Sequence, residues 1–259
     1  MAHKNGRADN FDKLSPVEST RLTGSEIRDI CTGTEHSLIL KSDGELLAFG
    51  GCSFGQTGLG SRRNIFNPNL VMKDPSIKSV CCGTSHSMVL KENGEVWVWG
   101  WGGQNQLGLS DKKNRNIPTL LTKSEDAKAI YSGGSHSLLL KSNGEVWVWG
   151  NGEAGQLVCT IFFTFYFFIF FFLELKGLGD INNRKAPTFL MKEEINDIAC
   201  GLSHTIMLKK NGELLCFGRN NRGQLESVLT NFVPYFLLCD IFLCRVWETR
   251  LTEQNLLSS

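Results

Sequence analysis

The chain has 259 residues, with 27 basic side chains against 26 acidic ones and a formal net charge of +1. That length allows one large domain or two small ones with a sizeable core, and the near-cancelled charge excludes bulk attraction to nucleic acid or to an anionic membrane as the basis of function. The nine cysteines include no C-x-x-C pair, so neither a paired-thiol metal knuckle nor a dithiol redox motif is written in the sequence.

Residues 1–26 form a polar, charged tail without an apolar stretch. No secretory signal is expected there, and the cysteines are expected to be reduced thiols of an intracellular protein.

From residue 27 the chain repeats itself. Units begin at 27, 77, 127 and 195, reading "IRDICTGTEHSLILKSDGELLAFG", "IKSVCCGTSHSMVLKENGEVWVWG", "AKAIYSGGSHSLLLKSNGEVWVWG" and "INDIACGLSHTIMLKKNGELLCFG". A period of about fifty residues points to propellers or arrays. Within each unit a first short strand is predicted, as at Ile30-Cys31-Thr32, and then comes Gly-x-x-His: Gly33 and His36, Gly83 and His86, Gly133 and His136, Gly201 and His204. A second apolar strand leads to Asp43-Gly44, Asn93-Gly94, Asn143-Gly144 or Asn211-Gly212, dipeptides suited to a type I′ hairpin turn. The third strand alternates, as in Val96-Trp97-Val98-Trp99. A glycine-rich G-Q-x-G-L-G turn follows, then a proline-containing fourth strand such as Ile117 to Leu121. Four short antiparallel strands make one propeller blade, and blades bury their faces by packing on one another.

Gly-x-x-His-Ser/Thr in all four units, W-x-W-G in the second and third, and the related segments GQTGLG, GQNQLGLS and GQL, spread over residues 27–225, resemble the signature of the regulator of chromosome condensation repeat family. The resemblance implies an all-β fold of the seven-bladed propeller type, of which about four blades are present here. It implies a binding platform rather than an enzyme: a module that takes a protein partner through one loop face. The alternatives are an exchange factor for a Ran-type small GTPase with chromatin association, and a fragment of a larger signalling or ubiquitin-ligase protein. The family's namesake inserts a hairpin wedge, and the uniform spacing of these units leaves no insertion for one.

The third unit is interrupted by "VCTIFFTFYFFIFFFLELK", residues 158–176. A run this long could cross a bilayer. Removing it, however, rejoins "GNGEAGQL" to "GLGD" and restores the repeat, and a crossing would split one blade across a membrane. Phenylalanine codons are pyrimidine-rich, Val-Cys is compatible with GTATGT, and Lys with a terminal AAG. We therefore read 158–176 as a retained intron translated in frame, not as a membrane span. Residues 226–259 are read in the same way, as a non-native tail; one frame-shift around Cys244 to Thr249 yields an acceptor-like TAG followed by G-L-G-D.

No catalytic, metal or cofactor site is expected. The four histidines stand one repeat apart instead of in close ligand pairs, and they read as buried structural groups bonded to backbone across the blade. Ser37, Ser87, Ser137 and Thr205 would make four equivalent nucleophiles with no recurrent acid partner. Cys31, Cys81, Cys82 and Cys200 fill a small-residue slot and read as core fillers, not a redox pair. The G-Q-x-G-L-G glycines lack both a following helix and G-K-[ST], which weakens any phosphate-loop reading.

One recurrent feature suggests a surface. After each G-L-G or G-L-S comes a basic loop carrying Arg62 and Arg63, then Lys112 and Lys113, then Arg184 and Lys185. Equivalent loops of a propeller emerge on one face, where they read first as ordinary solvated connections and, as the alternative, as a surface for an anionic partner: an acidic protein patch, a small GTPase among the candidates, a phosphorylated segment or a nucleic-acid backbone. The expected compartment is cytoplasm or nucleus.

Overall fold

The computed structural model describes residues 22, 26–157 and 180–225. The expectations about the tail 1–26, apart from Leu22 and Glu26, the insertion 158–176 and the segment 226–259 lie outside these residues. The chain divides into two units, residues 1–219 and 220–259.

Among its described residues the first unit holds fifteen strands and no helix. Nothing described is therefore a helix long and apolar enough to cross a membrane. Blade 1 holds β1 (Ile27–Thr32), β2 (His36–Lys41), β3 (Glu45–Gly50) and β4 (Ile65–Lys73), hydrogen-bonded in that order. Blade 2 repeats it with β5 (Ile77–Cys82), β6 (His86–Lys91), β7 (Glu95–Gly100) and β8 (Arg115–Lys123). Blade 3 comprises β9 (Ala127–Ser132), β10 (His136–Lys141), β11 (Glu145–Gly150) and β12 (Arg184–Lys192). Blade 4 shows β13 (Ile195–Cys200), β14 (His204–Lys209) and β15 (Leu214–Gly218). All pairings are antiparallel. The fold is a partial β-propeller, as the repeats predicted.

Blade 3 is assembled from chain on both sides of 158–179. Trp147 pairs with Phe189 and Gly150 with Arg184, just as Trp97 pairs with Leu120 and Gly100 with Arg115. The fourth strands each carry proline at the same place, Pro68, Pro118 and Pro187. These strands sit last in their sheets, where a missing N–H breaks no ladder.

The core consists of three interblade layers. Leu38, Leu40, Leu46 and Ala48 of blade 1 meet Ile77, Val80, Val89 and Trp99 of blade 2. Met88, Leu90, Val96 and Val98 then meet Ala127, Ile130, Leu139 and Trp149, and Leu138, Leu140, Val146 and Val148 meet Ile195, Ile198, Met207 and Phe217. The period-two alternation of β7 causes this: its tryptophans face the preceding blade and its valines the following one.

The hairpin turns differ from the expected type. Gly44 has φ +83°, Gly94 +80°, Gly144 +84° and Gly212 +88°, while the residue before each stays at negative φ. Type I′ needs positive φ at both central residues. Here Gly44 N–H donates to Lys41 O at 3.0 Å, a type I turn closed by a left-handed glycine, the three-residue hairpin loop. Asp43 Oδ1 accepts the Glu45 N–H at 3.1 Å, and Asn93, Asn143 and Asn211 do the same for Glu95, Glu145 and Glu213. The Asx side chain thus serves the turn by hydrogen bonding, not by left-handed backbone.

Of the second unit, residues 220–225 are described. Gly223 N–H donates to Asn220 O, and Leu225 N–H to Asn220 Oδ1.

Candidate interaction face and the interblade histidine ladder

Gly-x-x-His is a packing unit. Gly33 N–H donates to His36 O at 2.8 Å, folding the imidazole back over the glycine. A Cβ on Gly33 would lie 2.3 Å from His36 Cε1; on Gly83, Gly133 and Gly201 it would meet the ring of His86, His136 and His204 at 2.1, 2.0 and 2.0 Å. No side chain fits, so each histidine demands its glycine. The short loops also stack from blade to blade. Thr34 N–H donates to Thr84 O, Thr84 N–H to Gly134 O, and Gly134 N–H to Leu202 O.

The histidine partner is not backbone, as the sequence suggested, but a hydroxyl of the next blade. His36 Nε2 bonds Ser87 Oγ at 2.9 Å, His86 Nε2 bonds Ser137 Oγ at 3.0 Å, and His136 Nε2 bonds Thr205 Oγ1 at 2.9 Å. Ser87 Oγ in turn donates to Gln56 O and Ser137 Oγ to Gln106 O. With the hydroxyl proton spent on the carbonyl, the imidazole must donate from Nε2, which leaves Nδ1 as a bare lone pair. Nδ1 of His36, His86 and His136 is buried without a partner. Protonation there would create a buried cation with no acceptor, and burial pushes the pKa down to about 4 for His36 and about 3 for His86 and His136. These are structural groups held neutral. Among the described residues no cluster of three or more His, Cys, Asp or Glu side chains is placed to hold a metal.

Two further residue types join this ladder. Trp99 Nε1–H donates to Gln56 O and Trp149 Nε1–H to Gln106 O, both at 2.9 Å. The glutamine side chains brace the turn: Gln56, Gln106, Gln156 and Gln224 accept from the N–H two residues back, at Phe54, Gln104, Ala154 and Arg222. The recurrence of His-Ser/Thr and Gly-Gln was the only signal available in the sequence.

The basic loops leave the sheets at the end where β3 finishes and β4 begins, the end that also carries the β1–β2 loops; the Asx-Gly turns lie at the other end. Arg62, Arg63, Lys112, Lys113 and Lys185 are exposed there, and none forms an ion pair with another described residue; Arg184 and Lys185, expected in a loop, instead open strand β12, where Arg184 pairs with Gly150. Arg184 differs: its guanidinium bonds Asp180 at 2.8 Å, the counterpart of Arg115 with Asp111 at 2.9 Å. Of the six residues singled out, five present free charge. The same end bears Phe54 and Trp101, whose rings lie 5.8 Å apart. It also holds a groove of about 510 Å³ lined by Trp101, Gln104, Asn151, Glu153, Leu202 and Arg219.

The cysteines reveal one proximity that sequence reading missed. Cys31 and Cys82 pack into the first interblade layer as expected, but their sulfurs lie 2.7 Å apart.

Fold, interblade ladder and loop face together define a repeat propeller built as a rigid support for loops. One model of the regulator of chromosome condensation repeat matches residues 43–90 and 93–140. A second model with the same description matches 27–56, 77–106, 127–156 and 195–224. The chain belongs to the regulator of chromosome condensation repeat family. Among solved structures it is similar to human WBSCR16, with TM-score 0.63 and 24% identity, covering 78% of this chain and 50% of that one. It is also similar to a structure described as Kap60 bound to yeast RCC1 (Prp20), with TM-score 0.61, 20% identity, and 79% and 45% coverage. A Saccharomyces cerevisiae Prp20p structure gives TM-score 0.55 at 19% identity, with 74% and 43% coverage. The chain spans about half the length of these relatives. At such identities the likeness concerns the fold.

Proposed function

We propose that this chain is a non-enzymatic interaction module that binds an acidic protein surface through the loop face of its blades, in the cytoplasm or nucleus. The observation that carries the reading is the placement of Arg62, Arg63, Lys112, Lys113 and Lys185 at one end of three successive blades, exposed and without acid partners among the described residues. Loops on a rigid scaffold are where binding residues concentrate. Unpaired surface cations steer an anionic partner and speed its association. Beside them, Phe54, Trp101 and Leu202 offer apolar contact, the combination typical of protein interfaces.

The second reading is guanine-nucleotide exchange. The Prp20p structure is described together with binding to Gsp1p and histones, and the present chain shares its fold. Against it, the β3–β4 connections of blades 1 and 2 run over 51–64 and 101–114, equal in length and with no strand of their own. Neither holds a wedge. A nucleotide-release assay with a Ran-type GTPase separates the two: the binding-module reading predicts no acceleration over the spontaneous rate, and exchange requires one.

A further inference from the structure

We propose that Cys31 and Cys82 are a modification site, oxidised by hydrogen peroxide to a disulfide that ties blade 1 to blade 2. Three observations carry this. First, the two sulfurs are 2.7 Å apart, well inside the 3.5–4.0 Å at which two non-bonded carbons settle. A disulfide needs 2.03–2.05 Å, so each sulfur would move by about 0.3 Å. Second, both residues lie on inner strands, β1 and β5, of adjacent blades and are only partly buried. Neither is fully enclosed, as Cys52 is. Third, the pair is peculiar to this interface. The equivalent positions at the next two interfaces are Cys81 with Ser132 and Tyr131 with Cys200, neither of which can close.

The reaction balances with one peroxide. One cysteine sulfur attacks the O–O bond, becoming a sulfenic acid and releasing one oxygen as water once protonated. The second thiol then attacks the sulfenic sulfur, the S–S bond forms, and the sulfenic oxygen leaves as a second water. Two electrons pass from the thiols to the peroxide. The contact with Cys82 and then burial push the Cys31 thiol up and hold it protonated, which slows its attack on peroxide, because the thiolate is the attacking form.

The consequence is local. β1 is the most exposed first strand in the described blades, with Ile27 and Ile30 largely open. A bond from Cys31 to Cys82 would anchor that strand to blade 2 and suppress its opening.

The test uses the full chain. It is exposed to graded hydrogen peroxide, alkylated, digested with trypsin without reduction, and analysed by mass spectrometry. The expected product joins Asp29–Lys41 to Ser79–Lys91 with the loss of two hydrogens. It should form in wild type and in Cys81→Ser, vanish on reduction, and be absent from Cys31→Ser and Cys82→Ser. Oxidised wild type should also unfold at a higher temperature than the same sample after reduction. Wild type and Cys81→Ser decide the matter even where another variant fails to fold. Stepwise conversion of Cys31 to sulfinic or sulfonic acid without the joined peptide would overturn the proposal, and so would a joined peptide that persists in Cys82→Ser.

Discussion

His86 Nε2 donates to Ser137 Oγ at 3.0 Å across the boundary between blades 2 and 3. The same bond joins His36 to Ser87 and His136 to Thr205, and with the Ser87 and Trp99 bonds to Gln56 O and the Ser137 and Trp149 bonds to Gln106 O it forms a small buried polar ladder within a large apolar contact. Dispersion and burial supply most of the attraction between blades. The hydrogen bond supplies register, since a slipped blade would leave a buried N–H unpaired.

Ser137→Ala removes the acceptor and leaves the His86 Nε2–H stranded. The expected loss is about 1–3 kcal/mol, the cost of an unsatisfied buried donor. Ser37 stands at the equivalent position but makes no such bond among the described residues, and Ser37→Ala should cost less than about 0.5 kcal/mol. Urea denaturation of the two variants, followed by tryptophan fluorescence, checks the contrast. Equal midpoints would show that the ladder contributes only packing.

Acid sensitivity follows from the same residues. Their folded pKa lies below the ordinary histidine value of 6.5, at about 4 for His36 and about 3 for His86 and His136. Between those limits the unfolded chain binds more protons than the folded one. Stability is therefore complete above about pH 6.5 and falls as pH drops toward 4, by at most about 1.4 kcal/mol per pH unit for each histidine. Asp74, held down to about 2 chiefly by Ser76 and Lys91, adds its loss only below pH 4. Thermal unfolding measured from pH 7.5 to 4.5 should be nearly level down to about pH 6.5 and decline progressively below it. In the variant His86→Gln, which cannot titrate, the decline should be shallower.

Trp99 and Trp97 lie on the same face of β7 and differ in depth. Trp99 is fully buried, bonded to Gln56 O and packed in the first interblade layer. Trp97 is half-buried, with its N–H on Glu95 Oε2 and the Lys91 ammonium 4.6 Å above its ring. Trp99→Ala should cost on the order of 3–5 kcal/mol as a large-to-small core change. Trp97→Ala should cost clearly less, because the ring is only partly buried at the edge of that layer. Similar denaturation midpoints for the two variants would contradict the layered packing.

Trp147–Phe189 and Gly150–Arg184 pairing in blade 3 reproduces the register of blade 2, and we propose on that ground that the sheet forms without residues 158–176. Deleting them should preserve the far-ultraviolet β signature and raise the yield of soluble protein. Sequencing of the transcript should find the Leu157 codon joined to that of Gly177. A deletion that unfolds the protein, together with transcripts that retain the segment, would reverse the intron reading.

The repeat made most of the fold legible in the sequence. Glycine before histidine, Asx before glycine and Val-Trp alternation each answer to local geometry, so strands, turns and buried faces could be placed residue by residue. The turn type was misjudged because Asn-Gly suits two hairpin loops, and one extra residue, such as Ser42, selects the longer one. The His36–Ser87 bond was hidden because its partners stand 51 residues apart, one more than the repeat, an offset set by the stagger of blade on blade. The Cys31–Cys82 contact has the same 51-residue separation and was hidden for the same reason. On the loop face, position in the blade predicted exposure of Arg62, Arg63, Lys112, Lys113 and Lys185. It could not predict that Asp180 would engage Arg184, which depends on the local curl of that loop.

The most direct test concerns the loop face. Arg62, Arg63, Lys112, Lys113 and Lys185 would be reversed together to Glu, with Arg184 retained to keep its pair with Asp180. A control would introduce Lys at Ser42 and Ser142 and reverse Glu92 to Lys, all exposed on the opposite turns. Affinity capture from cell extract, run across a salt series, would compare both with the unaltered protein. The account predicts that the loop variant stays folded and loses partners that the control keeps. It also predicts that capture by the unaltered protein weakens as rising salt shortens the screening length to about 8 Å near physiological strength. Identical partners for the loop variant and the unaltered protein at every salt concentration would contradict it.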